Sequence, residues 1–368
     1  MKLSRRTTIF AGLLVAALVT ACATQGMHLW TAPAPVRVEG ASFSGWGPDP
    51  DAWEAVRVAA RVVELAPEDR ALRTVGQLEF RGGLELASDD ARFGGLSGLH
   101  VEPDGRLIAV TDRGEWFVAR LVLGESGELK GLVDARMAAM RDARGAPFAR
   151  KEDADAEEVT RTSDGRFAVS FERTHSIRLY DLEKKGPSAA PDSELTLAGT
   201  APLKANESLE ALAPFDDGLI TAGEGVTSRG APFWIVPLVS ETPPPSPKGR
   251  TSTRDFHGLS SLALLPDGDY LAMERFFAPI LGLRIHVRRL TRAGLDAGPA
   301  RWEGETVADF APPLAIDNFE GLAVVQGAGD ATRVYMVSDD NFNAAQRTLL
   351  YAFDLKPPAE LTSELPKK

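Results

Sequence analysis

The sequence predicts an all-β chain folded as a six-bladed β-propeller. Three observations predict it: five internal repeats, a turn at the same place in each, and no long stretch with a convincing helical period. The repeats are "LSGLHVEPDGRLIAVTDRG" from Leu96, "AEEVTRTSDGRFAVSFERT" from Ala156, "LEALAPFDDGLITAGEG" from Leu209, "LSSLALLPDGDYLAMERF" from Leu259 and "FEGLAVVQGAGDATRVYMVSDDN" from Phe319. Each reads as a short alternating strand, a turn and a second β-rich strand.

The turns carry Asp104-Gly105, Asp164-Gly165, Asp217-Gly218 and Asp267-Gly268, with Gly-Asp in the last repeat. Glycine takes positive φ there without steric cost. Residues 51–66 come closest to a helical pattern, but the β-branched "VRVAARVVEL" fits a strand as well. Units of roughly 50 to 60 residues, each opening with a hairpin, suggest four-stranded blades. A sixth blade is expected from "VGQLEFRGGLEL" (75–86) closing beside "TLLYAFDL" (348–355). A β-sandwich is the alternative.

The N-terminus reads as a targeting segment. Lys2, Arg5 and Arg6 precede an apolar run from Ile9 to Val19 that is too short to span a bilayer stably. The run ends in Val19-Thr20-Ala21-Cys22, a bacterial lipobox pattern, and Cys22 is the one cysteine of the chain. Residues 1–22 are thus expected to be a lipoprotein signal, with Cys22 lipidated and no disulfide in the mature chain. Ala23 after the cysteine points to the outer membrane, with the body facing the periplasm. Residues 23–55, rich in Pro, Gly and Ser, read as a tether; 56–356 are the propeller and 357–368 a loose tail.

The chain has 368 residues, 44% hydrophobic and 25% charged, with net charge −11 and pI about 5.1. That balance lacks the basic face that nucleic acid or an anionic membrane surface requires. It suits cations. In a blade the start of the first strand and the end of the second reach the same mouth of the ring. At the starts stand Ser97, Glu157 with Glu158, Glu210, Ser260 and Glu320; at the ends stand Asp112, Glu172, Glu224, Glu274 and Asp339. Crowded carboxylates raise one another's pKa unless cations compensate. Hard oxygen ligands suit a divalent metal, Ca²⁺ foremost.

The expected metal ligands are Glu210, Glu320, Glu158, Asp112, Glu172, Glu224 and Asp339. Alternation leaves open which of Glu157 and Glu158 faces the channel. Asn206 and Asn318 offer carbonyl ligands, and Asp340 and Asn341 read equally as ligands or as a turn. Arg113, Arg173 and Arg275 each follow an acid directly. They read either as donors to a phosphate or as ion pairs between blades. Glu274 and Arg275, with Arg173, Arg113 and His257, are the candidate catalytic residues. No Gly-x-Ser-x-Gly elbow, zinc-type histidine pair or phosphate loop is found.

"DDARFGGLSGL", "NESLEAL", "LAMERFF", "DNFEGL" and "VSDDNF" resemble the bacterial family described as esterase-like activity of phytase, over roughly residues 75–355. In outline the chain is also similar to calcium-dependent propeller phytases. The resemblance implies a metal-dependent phosphoesterase acting on a small phosphoester. A calcium-stabilised binding propeller and a lactonase- or esterase-type propeller hydrolase are the alternatives.

Overall fold

The computed structural model describes residues 43–201, 203, 209–225, 230–254, 256–298, 301–327 and 331–357. Cys22, Asn206 and the tail from 358 lie outside them. Among the described residues the strands form five sheets, each a blade. From the inside out, blade 1 runs Leu96–Val101, Arg106–Thr111, Glu115–Leu123 and Leu129–Ala139. Blade 2 runs Ala156–Arg161, Phe167–Phe171, Ser176–Tyr180 and Ser193–Thr196. Blade 3 runs Ala211–Phe215, Gly218–Ala222, Ala231–Pro237 and Gly249–Thr251. Blade 4 runs Gly258–Leu264, Tyr270–Ala278, Gly282–Leu290 and Gly304–Phe310.

Blade 5 corrects the expected blade number from six to five. The last repeat supplies three strands, Phe319–Gln326, Thr332–Ser338 and Thr348–Leu355. The fourth, Leu78–Ser88, comes from the other end of the chain and pairs antiparallel with the third, Thr348 opposite Leu86 and Leu355 opposite Leu78. The two segments read as a separate blade therefore complete this one, with Val58–Val63 added outside. Pairing the two ends of the chain in one sheet closes the ring and removes the free edge that an open array would expose.

The inner strands touch in sequence order, and that of blade 5 returns to that of blade 1. Five apolar cores fill the five gaps between consecutive blades. In Arg106–Thr111, Leu107 and Ala109 face the gap with blade 5 while Ile108 and Val110 face that with blade 2. Strands buried on both faces read as continuous apolar runs, which explains "LIAV" and "FAVSF". Gly105, Gly165 and Gly268 take positive φ at their turns, whereas in blade 3 Asp216 does so in place of Gly218.

The tether expected over 23–55 is packed onto the body from Phe43 onward. Trp46 and Trp53 are buried in the core between blades 1 and 2, and the Trp53 indole donates to the Trp46 carbonyl at 2.7 Å. The Phe43 amide donates to Asp134 at 2.7 Å, and Glu54–Ala55 pairs with the outer strand of blade 1. Two indoles bring more apolar area than a solvated linker can leave in water.

Candidate functional site

In a regular strand successive side chains alternate between faces. At the mouth that alternation is broken. The inner pair of strands slips register between Leu96 and Gly98, Val169 and Phe171, Leu259 and Ser261, and Phe319 and Gly321. The extra residues are Ser97, one of Glu157-Glu158, Ser260 and Glu320. A bulge of this kind bends the strand and re-aims its side chains. It re-aims side chains at the mouth in four of the five repeats; the inner pair of blade 3 keeps a continuous register.

The bulge also decides the Glu157-Glu158 pair, because both face the channel at different depths. Glu157 stands at the mouth, where Glu210, Glu172, Glu320 and Asp155 all press on it; burial first and these like charges second push its carboxyl well above the usual range. Glu158 lies deeper and is buried. Its Oε1 accepts from the Leu99 amide of blade 1 at 3.1 Å and from the Val159 amide at 2.9 Å, and its Oε2 accepts from the Ser261 hydroxyl of blade 4. It was expected among the metal ligands; the structure makes it a tie across the axis. Glu158→Ala is expected to cost about 2–4 kcal/mol by stranding buried donors, and Glu158→Gln under about 1 kcal/mol. Urea denaturation tests this, and equal costs in the two variants would remove the tie from the account.

Among the described residues, Asp155, Glu157 and Glu172 form a group in which one oxygen of each lies within 4.8 Å of the others. Glu172 is 7% exposed, and its carboxylate accepts no hydrogen bond from a described residue. Burial, with Asp155 next, pushes its pKa up to about 7. Three oxygens at that spacing fit around one ion at calcium's usual ligand distances of about 2.3–2.6 Å. Asp155 caps the short helix α1 (Lys151–Ala154) and holds Arg173 Nε at 2.7 Å. The sequence reading missed Asp155, although the acidic run "EDADAEE" contained the signal.

Across the mouth Arg275 gathers the remaining acids. Its Nη1 donates to Glu320 Oε1 at 2.6 Å and to Asn318 Oδ1, and its Nη2 lies 3.8 Å from Glu224. Asn318 Nδ2 donates to Glu320 at 2.9 Å. Gly258 permits this close approach: a Cβ there would collide with the Glu224 carboxylate. Burial, then Glu224 and Glu172, pushes Glu210 well above the usual range. Burial and Glu320 push Asp339 up to about 9, and its Oδ1 accepts from the Asn341 amide at 2.6 Å. Asp112 holds Lys151 Nζ at 2.7 Å, and its buried Oδ1 has no hydrogen-bond partner among the described residues. Asp340 builds the neighbouring turn, accepting from the Gly95 and Phe342 amides.

Glu274 does not reach this group. The ladder shows why: Thr111, Phe171 and Ser338 pair with the residue just before the bulge, and in blade 4 that position is Glu274. The residue equivalent to Asp112, Glu172 and Asp339 is therefore Arg275. Glu274 is fully buried, with Arg288 Nε at 2.7 Å on Oε1 and the Arg254 amide at 2.9 Å on Oε2. It anchors blade 4 and takes no place at the mouth. His257 is buried in an aromatic stack, its ring 5.2 Å from Phe276 and edge-on to His286 at 6.2 Å. The Arg113 guanidinium lies over the Phe342 ring at 3.2 Å. Ser97 and Ser260 spend their hydroxyls on the Gly95 and Met273 carbonyls.

Beside the mouth opens a cleft of about 740 Å³. Glu224 and Arg275 line it together with Phe256, Phe276, Phe277 and Leu283.

A family model described as "Phytase-like: Esterase-like activity of phytase" matches residues 91–342. Comparison with curated proteins gives no match. Among solved structures, a catalytic domain of GH62 α-L-arabinofuranosidase from Coprinopsis cinerea is 11% identical, with 78% of this chain and 100% of that chain covered and a TM-score of 0.44. A PQQ-bound aldose sugar dehydrogenase from Streptomyces coelicolor is 11% identical (82% and 99% covered, TM-score 0.39). A virginiamycin B lyase from Staphylococcus aureus is also 11% identical (77% and 87% covered, TM-score 0.37). Likenesses this distant carry no argument about chemistry. The family match spans more than half of the chain, from the loop before the first repeat to the turn after the last, and the chain therefore belongs to the phytase-like family described as esterase-like activity of phytase.

Proposed function

We propose that the chain is a metal-dependent phosphoesterase whose working face is the acidic mouth. One observation carries the reading: Glu172, buried and accepting no hydrogen bond from a described residue, points into a group with Asp155 and Glu157 whose oxygens are spaced for a divalent cation. A carboxylate left so is costly unless a positive charge meets it. Asp155, Glu157 and Glu172 would hold the ion, Ca²⁺ by the all-oxygen donor set. When bound, such an ion polarises a phosphoryl oxygen and lowers the pKa of a water.

The chain's own groups do the rest. Arg275, already spanning Glu320 and Glu224, orients the second half of the mouth and offers its remaining N–H directions to the ester's oxygens. Asp339, pushed up to about 9, keeps a proton at neutral pH on the oxygen that does not accept from Asn341. It is the group suited to protonate the leaving oxygen.

The pairing of Arg173 with Asp155 and of Arg275 with Glu320 favours a second reading, a calcium-stabilised binding propeller without turnover. Assay of a soluble chain on aryl phosphomonoesters and diesters with and without Ca²⁺ separates the two. We expect calcium-dependent turnover that falls at least about 100-fold in Glu172→Gln with the fold retained. Calcium binding with no turnover on any ester would leave the binding propeller in its place.

A further inference from the structure

We infer that the cleft beside the mouth is a subsite for an apolar arm of the substrate, so that the ester taken there is an amphiphile with one aryl or alkyl group and not a polyphosphorylated sugar. This rests on the phosphoesterase reading above. The cleft's volume of about 740 Å³ is in the range that encloses a small organic ligand. Arg275, which bonds Glu320 at the mouth, also lines the cleft beside Glu224, so a ligand with its polar end at these two lays its other end along Phe256, Phe276, Phe277, Leu283 and Ile316.

That wall is built by an extension particular to blade 4. Its second strand has nine residues, against five to seven in the second strands of the other four blades. The second strand runs three residues past Arg275, the last to pair with the inner strand, and those are Phe276, Phe277 and Ala278. Phe277 is 69% exposed and Phe256 76%, although rings of this size dominate buried cores. Two open phenylalanines on one cleft wall, next to a polar end, are what an amphiphile needs.

Charge argues against a polyanion. Among the described lining residues Arg275 is the sole cation, and its guanidinium already bonds Glu320 and Asn318. Glu224 and Asp317 line the same cleft. Several phosphates would meet carboxylates with one committed cation, whereas an apolar arm adds no charge.

Calorimetry on the calcium-loaded chain tests the inference with 1-naphthyl phosphate and glycerol 2-phosphate, which share the phosphomonoester and differ in the arm. Dihexanoylphosphatidic acid below its micellar concentration distinguishes a lipid arm from an aryl one. We expect naphthyl phosphate or the phosphatidic acid to bind at least about tenfold tighter than glycerol phosphate. Phe277→Ser and Phe256→Ser, both exposed and so tolerated by the fold, are expected to remove most of that advantage without moving the thermal midpoint. Equal affinities for the three probes, or an advantage kept in both variants, would overturn the subsite. Inositol hexakisphosphate hydrolysed as fast as naphthyl phosphate would overturn it too, while leaving the phosphoesterase reading standing. Selective binding of the apolar probes without hydrolysis would keep the subsite and remove the phosphoesterase.

Discussion

Calcium is expected to raise the thermal midpoint of this protein by several degrees at pH 8 and by much less at pH 5. The sign follows from the raised carboxylates. Glu172 titrates near 7 in place of 4.5 and Asp339 near 9 in place of 3.8, burial being the main cause in each. The folded chain therefore keeps protons that the unfolded chain gives up once pH passes about 4. Stability from these groups is complete below that pH and is lost as pH rises through about 7 and then 9. For Glu172 alone the loss approaches about 3 kcal/mol, at about 1.4 kcal/mol per unit. His286 runs the other way: burial holds its pKa near 4, so it costs stability as pH falls from about 6.5 to 4.

A bound divalent ion would replace the lost protons, with its largest effect expected where the acids are otherwise charged. Scanning calorimetry across pH 5–8 with calcium or with chelator measures both slopes. Glu172→Gln is expected to flatten the descending slope and to remove most of the calcium shift. A calcium effect independent of pH, or kept in full in Glu172→Gln, would place the ion elsewhere.

Glu274→Ala is expected to be the most damaging single change to the fold, lowering unfolding free energy by about 3–5 kcal/mol. The substitution leaves Arg288 buried, with Nε and both terminal nitrogens aimed at a missing carboxylate and at Ser252. Exposed ion pairs such as Arg150–Asp153 contribute little by comparison, because solvent screens them. The double variant Glu274→Met with Arg288→Met is expected to recover much of the loss, since it removes both buried charges together. Urea denaturation of the two variants, with calcium titration of the folded protein, is the measurement. Unchanged stability with lost turnover in Glu274→Ala would return Glu274 to the catalytic group where the sequence placed it.

The contrast between Glu172 and Glu274 shows what each level of description carried. Both end the second strand of a repeat and both precede arginine, so a repeat alignment treats them alike. One position in register separates them. The sequence alone determined the all-β propeller, because two-residue periodicity and Asp-Gly turns recur locally in every repeat. It also determined that carboxylates would crowd one mouth, since that follows from where hairpin strands begin and end.

The tertiary structure decided the rest. Blade number depended on the pairing of Leu78–Ser88 with Thr348–Leu355, a contact between chain ends that no local pattern announces. Which acids meet depended on one-residue bulges that break the alternation on which any side-chain direction must be read. Asp155 joined Glu157 and Glu172 only when a short helix and two strands converged on one point. Local chemistry is written along the chain; which charges share a site is a matter of register, and register is set by packing between blades.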